Sequence, residues 1–475
     1  MITNALFSDL YELTMAQGYF KQQRNTLCVF DMFFRRTPFN GGYAILAGLD
    51  PLLEAIQDFH FEDSDIAYLD GLQIFSADFL DYLRTFTFSG SVWAMDEGSL
   101  IFPGEPILRV QAPIIEALLL EGLILNTINF QSLIATKTAR IWLASGKSSI
   151  MEFGLRRAQG QDGAMSATRA SIIGGAAGTS NTLGGKRYGV PVMGTMAHAW
   201  VMSFANEEEA FNRYAELYPD KSVFLIDTYD TLGSGIEAAI KAGKKLQAQG
   251  KNFGVRLDSG DMQYLSTEVR KRLDAAGLPD AKISISNELT EEIIESLIAN
   301  KAPINSWGVG THLVTGGTES SFTGVYKLAA YQTADGIWQP VMKVSDNPAK
   351  ITNPGIKQVW RLYNDDGTFK ADVIGLYDET VSAGGPNIYY HPLNDYQSFR
   401  FKAAKAEALL HEKIANGTYN ACNETLHDMH RRAAQQLECL HPTSRRLLNP
   451  HIYKVSLTHT LFTMKQQLLR TLRQA

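Results

Sequence analysis

The sequence predicts an α/β protein whose central part is an irregular (β/α) barrel. Three observations lead to this prediction. Short apolar runs alternate with helical patterns through the middle of the chain, polar groups recur where the runs end, and the flanking segments have a different pattern. Strand and helix alternating at roughly 25–40 residues is typical of βα units joined by a parallel sheet.

The central elements can be assigned in order. Asn206 and Glu209 have the spacing of a capping box that opens a helix through Tyr218, and Thr290 can cap a helix with an apolar face. Residues 235–249 and 262–276 have similar helical patterns. The predicted strands are SSIMEF, VPVM, SVFLID, FGVRLD, KISIS and INSWGVG.

The polar groups at the strand ends favour a closed barrel over a doubly wound sheet. An open sheet concentrates ligand contacts at one switch point, whereas a barrel collects them from all of its strands. The groups that follow the predicted strands are Glu152, Thr195, Asp227, Arg256, Asp258, Ser286 and Gly308.

The flanking segments suggest further domains. Residues before about 125 alternate and are rich in Gly and Pro, as in antiparallel strands with tight turns, and residues past about 345 mix strands with helices. We therefore predict an N-terminal domain (1–125), a barrel that carries the active site (126–345) and a C-terminal segment (346–475). Residues 400–475 are locally basic, which favours a solvated surface over a polyanion site.

The composition excludes several classes of protein. The 475 residues carry a net charge of −6, which gives no reason to expect a nucleic acid or a membrane as the main partner. Three cysteines are too few for a disulfide framework, and the N-terminus lacks the pattern of a signal peptide. The apolar run IIEALLLEGLILN contains two glutamates and is too polar to span a bilayer. We expect a soluble, cytoplasmic protein.

Glycine clusters at two strand ends suggest phosphate binding. Gly308, Gly310, Gly316 and Gly317 follow one predicted strand, and a second cluster lies within residues 174–185. Glycine lets the backbone approach a ligand and direct N–H groups at phosphate oxygens, although plain turn chemistry is the alternative. No Walker A loop is present, because Ser180 and Arg187 stand where that motif needs Gly and Ser or Thr.

Charged side chains are dense beside these glycines. LIDTYDT and VRLDSGD supply carboxylates, and Arg256 could bind a carboxylate or phosphate with two hydrogen bonds. Carboxylates near phosphate-binding glycines suggest Mg²⁺, which binds through one or two carboxylates together with phosphate oxygens.

His198, in the stretch GTMAHAW, has three possible roles. It could be a catalytic group, a buried core residue or a metal ligand, and the residues favour catalysis. Asp227 on the next strand could hold one ring nitrogen and leave the other as a nucleophile or base. Zinc is disfavoured because no other His or Cys lies near it in sequence. The tail residues Cys422, His427, His430, Cys439 and His441 match no standard zinc motif either, and helix-surface positions explain them better.

The chain resembles the nicotinate phosphoribosyltransferase family along nearly its whole length. The resemblance rests on segments that occur in the family's order: SDLYELTMAQGYF, FFRRTPFNGGYAILAGL, EFGLRRAQG, GAAGTSNTLGG, GTMAHAW, FLIDTYDT, GVRLDSGD, GVGTHLVTGG and NPHIYKVSL. It implies an irregular barrel with an open-faced α/β sandwich domain built from N-terminal and C-terminal residues. It also implies that nicotinate and 5-phosphoribosyl 1-diphosphate (PRPP) give nicotinate mononucleotide and diphosphate in NAD synthesis.

The resemblance further implies the cofactors and partners. Mg²⁺ would be held mainly through the substrate phosphates, and ATP would be a co-substrate whose hydrolysis is coupled through a phosphohistidine at His198. The small neighbours of His198 would leave its ring accessible. Tyr11 would be donated by a partner subunit, which implies a homodimer with shared active sites.

The resemblance also assigns roles to individual residues. Phe153 and Tyr11 would stack on the two faces of the pyridine ring, and Asp227 and Asp258 would orient the histidine and the ribose or metal. The nicotinate site would further contain Arg156, Ser180, Thr195 and Arg256. The PRPP and phosphate site would contain Ser259, Gly260, Gly308, Gly310, Thr311, Gly316, Gly317, Arg35, Arg36, Lys350 and Lys357.

Ser180 distinguishes an acid substrate from an amide. Related nicotinamide-specific enzymes carry an aspartate in the segment that matches GTSN, and this chain has Ser180 at that position. A carboxylate there would repel nicotinate, whereas a hydroxyl can donate a hydrogen bond to it. Nicotinamide- and quinolinate-type enzymes are the near alternatives. A phosphosugar aldolase or isomerase would usually need a lysine or a Glu/His pair at a strand end, and no lysine ends a predicted strand of this chain. A non-catalytic PRPP-binding regulator would be expected to lose His198, Arg256 or Asp258, and all three are present.

Overall fold

A computed structural model describes residues 4–384, 387–421 and 423–474, which form two compact units. Unit 1 contains the described residues up to Leu133 and from Ser321 onward, and unit 2 is Ile134–Ser320. The predicted barrel segment, 126–345, is therefore longer at both ends than unit 2. The two predicted flanking segments belong to one unit.

The secondary structure is mixed α/β. The strands are β1 (Leu27–Phe34), β2 (Ala44–Ile45), β3 (Ser91–Ala94), β4 (Leu100–Ile101), β5 (Leu108–Pro113), β6 (Ser149–Glu152), β7 (Gly178–Thr179), β8 (Val223–Leu225), β9 (Gly254–Leu257), β10 (Lys282–Ser286), β11 (Ser306–Val309), β12 (Gly324–Gln332), β13 (Trp338–Pro340), β14 (Lys357–Tyr363), β15 (Phe369–Leu376), β16 (Asn387–Tyr390), β17 (Ser398–Phe401), β18 (Lys405–Ala408), β19 (His411–Ala415), β20 (Thr418–Tyr419) and β21 (Val455–Leu457). The α-helices are α1 (Leu10–Lys21), α2 (Leu49–Gln57), α3 (Asp63–Gly71), α4 (Ala77–Arg84), α5 (Ile114–Leu119), α6 (Glu121–Ala144), α7 (Gly160–Gly174), α8 (Thr182–Tyr188), α9 (His198–Met202), α10 (Glu207–Leu217), α11 (Ile236–Ala248), α12 (Met262–Ala275), α13 (Glu291–Ala299), α14 (Thr311–Val314), α15 (Leu426–Cys439), α16 (Pro442–Arg445) and α17 (His459–Gln474).

Unit 1 is built around a sheet that both ends of the chain share. Among the described residues this sheet has seven strands in the order β13-β12-β1-β5-β3-β19-β20, and all of its pairs are antiparallel. The pairing of β12 with β1 explains why residues after Ser320 belong to unit 1 and not to the barrel. A second sheet, β17-β16-β21-β15-β14-β18, comes from the C-terminal segment alone.

One helical run in the described part of the chain is long and apolar enough to cross a membrane by length and composition. It is Ile114–Ala144, and 72% of its most apolar window is buried inside the protein. Its two early glutamates have polar partners, because Glu116 accepts the Ser89 N–H at 2.7 Å and Glu121 accepts from Lys327 Nζ at 3.1 Å. These features are those of a buried core helix.

Unit 2 contains the predicted parallel sheet. Its six strands, counted over the described residues, have the order β7-β6-β11-β10-β9-β8, and every pair is parallel. Their carboxyl ends therefore lie along one edge. No ladder joins β7 to β8 within the described residues, so the closed barrel stays a prediction.

Most of the predicted elements of unit 2 are confirmed. Asn206 caps α10 by accepting the Glu209 N–H at 2.9 Å, and Thr290 caps α13 through the Ile293 N–H. The predicted strand VPVM is wrong, because it contributes a single bridge between Thr179 and Val192. Its proline has no backbone N–H to donate to a ladder.

Candidate active site

Arg256 is the centre of a polar cluster at the carboxyl ends of the unit 2 strands. Its side chain leaves β9 and donates from Nε to Ser286 Oγ at 2.7 Å, from Nη1 to Thr195 Oγ1 at 2.8 Å and from Nη2 to Asp258 Oδ1 at 2.7 Å. The described contacts thus use three of the five N–H donors of the guanidinium, whose plane they fix. Four residues predicted to lie at the ends of three strands, Thr195, Arg256, Asp258 and Ser286, therefore meet at one point.

Phe153 lies beside this cluster. The Arg256 guanidinium carbon is 5.6 Å from the centre of the Phe153 ring, and the Phe153 N–H donates to Val309 O at 2.8 Å. A Cβ at Gly308 would come within 2.6 Å of two ring carbons, so only glycine leaves this space for the aromatic ring. A Cβ at Gly310 would lie 3.2 Å from the Phe153 carbonyl oxygen, a less severe contact. An aromatic face beside a fixed guanidinium suits a flat, anionic aromatic ligand.

Ser180 follows the neighbouring strand β7. Its N–H donates to the Glu152 carbonyl at 2.9 Å, which holds the Ser180 backbone against the end of β6, next to Phe153. The predicted nicotinate residues Phe153, Ser180 and Arg256 thus come from the ends of strands in one sheet. Arg156 is exposed in the loop that follows β6.

His198 is the first residue of α9, and 41% of its side chain is exposed. Its Nδ1 lies 3.1 Å from Thr228 Oγ1, and its Nε2 lies 3.8 Å from Asp258 Oδ2. The expectation that Asp227 holds the ring is not met. Asp227 turns toward the next strand end and accepts from the Asp258 N–H at 3.0 Å and from Ser259 Oγ at 2.6 Å. Thr228 was missed, although it lies in the same predicted loop.

Asp258 is held in its ionised form. Burial would raise the pKa of its carboxyl, but the Ser286 hydroxyl and the Arg256 guanidinium outweigh burial and lower that pKa below its ordinary value. The site therefore offers a carboxylate at neutral pH between Arg256 and His198.

The two aspartates fit a cation that is held mainly by phosphates. Asp227 Oδ1 is buried and finds no hydrogen-bond partner among the residues that the structure describes. Within the same residues, no group of three or more His, Cys, Asp or Glu side chains is placed to hold a metal ion. One or two carboxylates together with phosphate oxygens are the usual ligands of Mg²⁺ in such sites.

The glycine loops contain backbone positions that favour glycine. Gly260, Gly316 and Gly317 have φ values of 86°, 77° and 61°, which disfavour any residue with a Cβ. Thr311 opens the short helix α14, and its Oγ1 donates to Glu288 Oε1 at 3.2 Å. A cavity of about 510 Å³ opens beside Gly260 and is also lined by Glu288.

The predicted basic donors lie in unit 1. The backbone N–H groups of Arg35 and Arg36, just after β1, donate to Thr323 Oγ1 at 3.3 and 3.0 Å. Lys350 is exposed at the end of a short helical turn, Pro348–Lys350. These positions leave the phosphate role of the three residues a prediction.

Lys357 has a different environment. It is buried, and its Nζ lies 2.7 Å from Asp31 Oδ2 and donates to the carbonyls of Asn353 and Gly355 at 2.9 and 2.5 Å. Burial lowers the pKa of Lys357 despite the neighbouring carboxylate. Its three donors are used inside unit 1, so we do not carry Lys357 forward as a phosphate ligand.

Tyr11 lies on α1 in unit 1, and its side chain is 47% exposed. Partial burial of the phenol and the negative charges of Glu121 and Glu12 raise the pKa of Tyr11, so its hydroxyl stays protonated at neutral pH. An exposed aromatic ring on a surface helix is available to another molecule.

The histidines and cysteines of the tail show no metal cluster in the described part of the chain. His427, His430 and Cys439 lie on α15, and His441 caps the short helix α16. Cys422 lies outside the described residues.

Known proteins match this chain along its full length. Profiles of the nicotinate phosphoribosyltransferase N-terminal domain, family and C-terminal domain match residues 6–129, 148–374 and 356–465. Nicotinate phosphoribosyltransferase of Bacillus subtilis (strain 168) is 41% identical over 468 residues, which cover 98% of this chain and 94% of that protein. The Bos taurus protein of the same name is 33% identical over 522 residues, with coverages of 98% and 96%.

Solved structures show similarity to the same family of proteins. The crystal structure of human nicotinic acid phosphoribosyltransferase superposes with a TM-score of 0.86 at 31% identity and covers 97% of this chain and 99% of its own. Nicotinate-nucleotide pyrophosphorylase from Pyrococcus furiosus has a TM-score of 0.71 at 21% identity over 91% and 94% of the two chains, which shows a shared fold. The chain belongs to the nicotinate phosphoribosyltransferase family.

Proposed function

We propose that this chain joins nicotinate to PRPP, giving nicotinate mononucleotide and diphosphate for NAD synthesis, and that ATP hydrolysis is coupled through a phosphohistidine at His198. The observation that carries the proposal is the Arg256 guanidinium, fixed by three hydrogen bonds beside the Phe153 ring. Family membership over the whole chain supports the same conclusion.

Nicotinate would lie against Phe153 with its carboxylate toward Arg256. The guanidinium keeps two N–H donors after its three described bonds (five less three), which is enough to bind one carboxylate. The Ser180 hydroxyl would add a neutral donor, whereas the Thr195 hydroxyl already donates to the Met196 carbonyl at 3.0 Å and serves to orient Arg256. This arrangement would aim the pyridine nitrogen at the sugar, which is a proximity effect.

The diphosphate of PRPP would leave as the pyridine nitrogen bonds to the anomeric carbon. Asp227 and Asp258 are the residues that would hold Mg²⁺, which, when bound, neutralises the leaving diphosphate. The backbone N–H groups around Gly260, Gly310, Thr311, Gly316 and Gly317 would bind phosphate oxygens.

His198 would accept the γ-phosphoryl group of ATP. A ring nitrogen forms the bond to phosphorus as the bond to the bridging oxygen of ADP breaks, and ADP leaves with that electron pair. Three features favour this role: the ring is partly exposed, its neighbours Ala197 and Ala199 are small, and Thr228 fixes its orientation.

The active enzyme would be a cytoplasmic homodimer with shared active sites. Tyr11 of the partner subunit would cover the second face of the pyridine, and the exposed ring of Tyr11 supports this arrangement. Arg35, Arg36 and Lys350 remain proposed phosphate donors.

The test is to identify the product. The purified chain is incubated with labelled nicotinate, PRPP and Mg²⁺, with and without ATP, and the nucleotide is separated and identified. We expect labelled nicotinate mononucleotide, more of it with ATP, and equimolar ADP. No labelled nucleotide, or faster incorporation of labelled nicotinamide in a parallel reaction, would contradict the proposal.

A further inference from the structure

Glu152 is a buried carboxylate that the proposed chemistry does not use. It is the last residue of β6 and only 1% exposed. Its Oε1 accepts the Gly154 N–H, and its Oε2 accepts from Thr168 Oγ1 at 3.1 Å and Thr179 Oγ1 at 2.5 Å. Burying a carboxylate costs free energy unless hydrogen-bond donors of this kind surround it. The presence of Glu152 and its donors at this place therefore calls for a functional explanation.

These contacts join two walls of the proposed nicotinate site. Gly154 directly follows Phe153, and Thr179 directly precedes Ser180. The Glu152 carbonyl also accepts the Ser180 N–H at 2.9 Å. One residue therefore fixes the backbone just after Phe153, the Thr179 side chain and the backbone of Ser180.

The Thr179 hydroxyl extends the network by one step. While it donates to Glu152, its oxygen accepts the Asn181 N–H at 2.9 Å. Asn181 caps α8 through Gly184, so the turn that carries Ser180 is held on both sides. No described contact brings the Glu152 carboxylate to Arg256 or Thr195.

We propose that Glu152 is a positioning residue for pyridine recognition. Through Gly154 and Thr179 it sets the position of Phe153 relative to Ser180, and it thereby sets how well the site distinguishes a pyridine carboxylate from a carboxamide. The inference rests on the proposed function and deepens it, because Glu152 acts on the substrate only through its neighbours.

The experiment uses the Thr179 end of the network, where a conservative pair of variants exists. Thr179→Val removes the hydroxyl and keeps the shape, Thr179→Ser keeps the hydroxyl, and Glu152→Gln keeps the shape but removes the charge. Ser171→Ala is the matched control, because it removes a buried hydroxyl from α7 that bonds only to the Thr168 carbonyl in the described contacts. Steady-state KM and kcat are measured for nicotinate, nicotinamide and PRPP, and nicotinate Kd is measured by calorimetry.

We expect Thr179→Val to raise KM and Kd for nicotinate about tenfold, because both buried hydrogen bonds of this hydroxyl, to Glu152 and from the Asn181 N–H, are lost. The preference for nicotinate over nicotinamide should fall by a similar factor, while KM for PRPP stays within about twofold. Glu152→Gln should act in the same direction, and Thr179→Ser should recover the wild-type values.

A purely structural role gives a different pattern. If KM for nicotinate and PRPP rise together, or if the melting temperature falls while both KM values and the acid-to-amide preference stay unchanged, the inference is overturned. If the wild-type protein binds nicotinate but makes no nucleotide, only the proposed function is contradicted. The calorimetric comparison of nicotinate Kd still tests the role of Glu152. Unchanged nicotinate Kd in Thr179→Val overturns the inference in either case.

Discussion

At the scale of single residues, the proposed nicotinate site depends on Arg256. Its side chain is 13% exposed, and three fixed hydrogen bonds orient the remaining donors of its guanidinium. Lysine carries the same charge as a point ammonium and cannot reproduce a planar arrangement of donors. The residue type, and not only its charge, therefore matters.

Arg256→Lys should raise KM for nicotinate by about 100-fold, because two charge-assisted hydrogen bonds to the carboxylate are lost. Steady-state kinetics at saturating PRPP provide the measurement. Arg213→Lys is the control, since Arg213 forms an exposed pair with Glu216 on α10 and should leave KM unchanged. Equal effects of the two substitutions would count against the assignment.

Ser180→Asp should shift the preference from nicotinate toward nicotinamide. A carboxylate at this position repels the acid and can accept from a carboxamide N–H. We expect the ratio of kcat/KM for nicotinate to that for nicotinamide to fall by about 100-fold, as a like charge near a desolvated carboxylate costs several kcal/mol. Absence of any gain toward nicotinamide would show that Ser180 does not face the pyridine substituent.

His198→Ala should abolish covalent labelling from γ-labelled ATP and remove the stimulation of nucleotide formation by ATP. The imidazole is the group on which we place the phosphoryl transfer, and alanine offers no nucleophile. Acid-labile phosphate on the protein is measured before and after the substitution. Retained labelling would assign the phosphoryl group to another residue.

The sequence predicted much of the site, and its errors have physical causes. Phe153, Arg256 and Asp258 lie together at one edge of the sheet, as expected because parallel strands end together, whereas Thr195 contacts Arg256 from a loop after a strand that was wrongly predicted. The direction in which a loop side chain turns is not part of that pattern. The histidine partner Thr228 was therefore missed in favour of its neighbour Asp227.

Lys357 shows that sequence patterns do not reveal whether a charged residue is buried. From sequence it is one more basic residue of the C-terminal segment, whereas in the structure it is a buried partner of Asp31. Periodicity distinguishes apolar from polar faces, but it does not identify a lysine whose charge is neutralised in the interior.

At the scale of elements, the site is held by close contacts between strand ends. Gly308, on β11, lies directly against Phe153, after β6, and these two strands are neighbours in the sheet. Helices α10 and α13 begin at the side-chain caps that the sequence predicted, because capping is local. Whether the sheet closes depends on its curvature, which local patterns do not contain.

Gly308→Ala should weaken nicotinate binding. The added methyl would overlap the Phe153 ring, so the ring must move, and overpacking of this kind costs about 1–3 kcal/mol of folding free energy. Gly163→Ala is the matched control on α7, where the nearest atom would be 3.9 Å away and the protein should become more stable by about 1 kcal/mol. Nicotinate Kd and melting temperature measured for both variants test this, and an unchanged Kd in Gly308→Ala would contradict it.

At the scale of the whole molecule, the first and last parts of the chain form one unit. Strands β3 and β19 pair antiparallel although more than 300 residues separate them, which local sequence patterns cannot predict. Unit 1 also contains Glu12, a fully buried carboxyl on α1. Burial, together with the charges of Glu121 and Asp9, raises the pKa of Glu12 to about 8.

This raised pKa predicts how stability depends on pH. The folded protein binds the Glu12 proton more tightly than the unfolded chain, so this contribution to stability is fully present below about pH 4.5 and is lost as the pH rises toward 8. Glu12→Gln stays neutral and should remove that loss, making the protein more stable than the wild type by a few kcal/mol at pH 8 and by much less at pH 5. Denaturant unfolding at both pH values measures this, and an equal difference at pH 5 and 8 would contradict it.

A crystal structure of the protein with nicotinate bound tests the central claim most directly, because that claim is the location of one pocket. We expect the pyridine ring to lie against Phe153 and a carboxylate oxygen to lie within hydrogen-bonding distance of Arg256 Nη1 or Nη2. Nicotinate bound at a place that contacts neither Phe153 nor Arg256 would contradict the account.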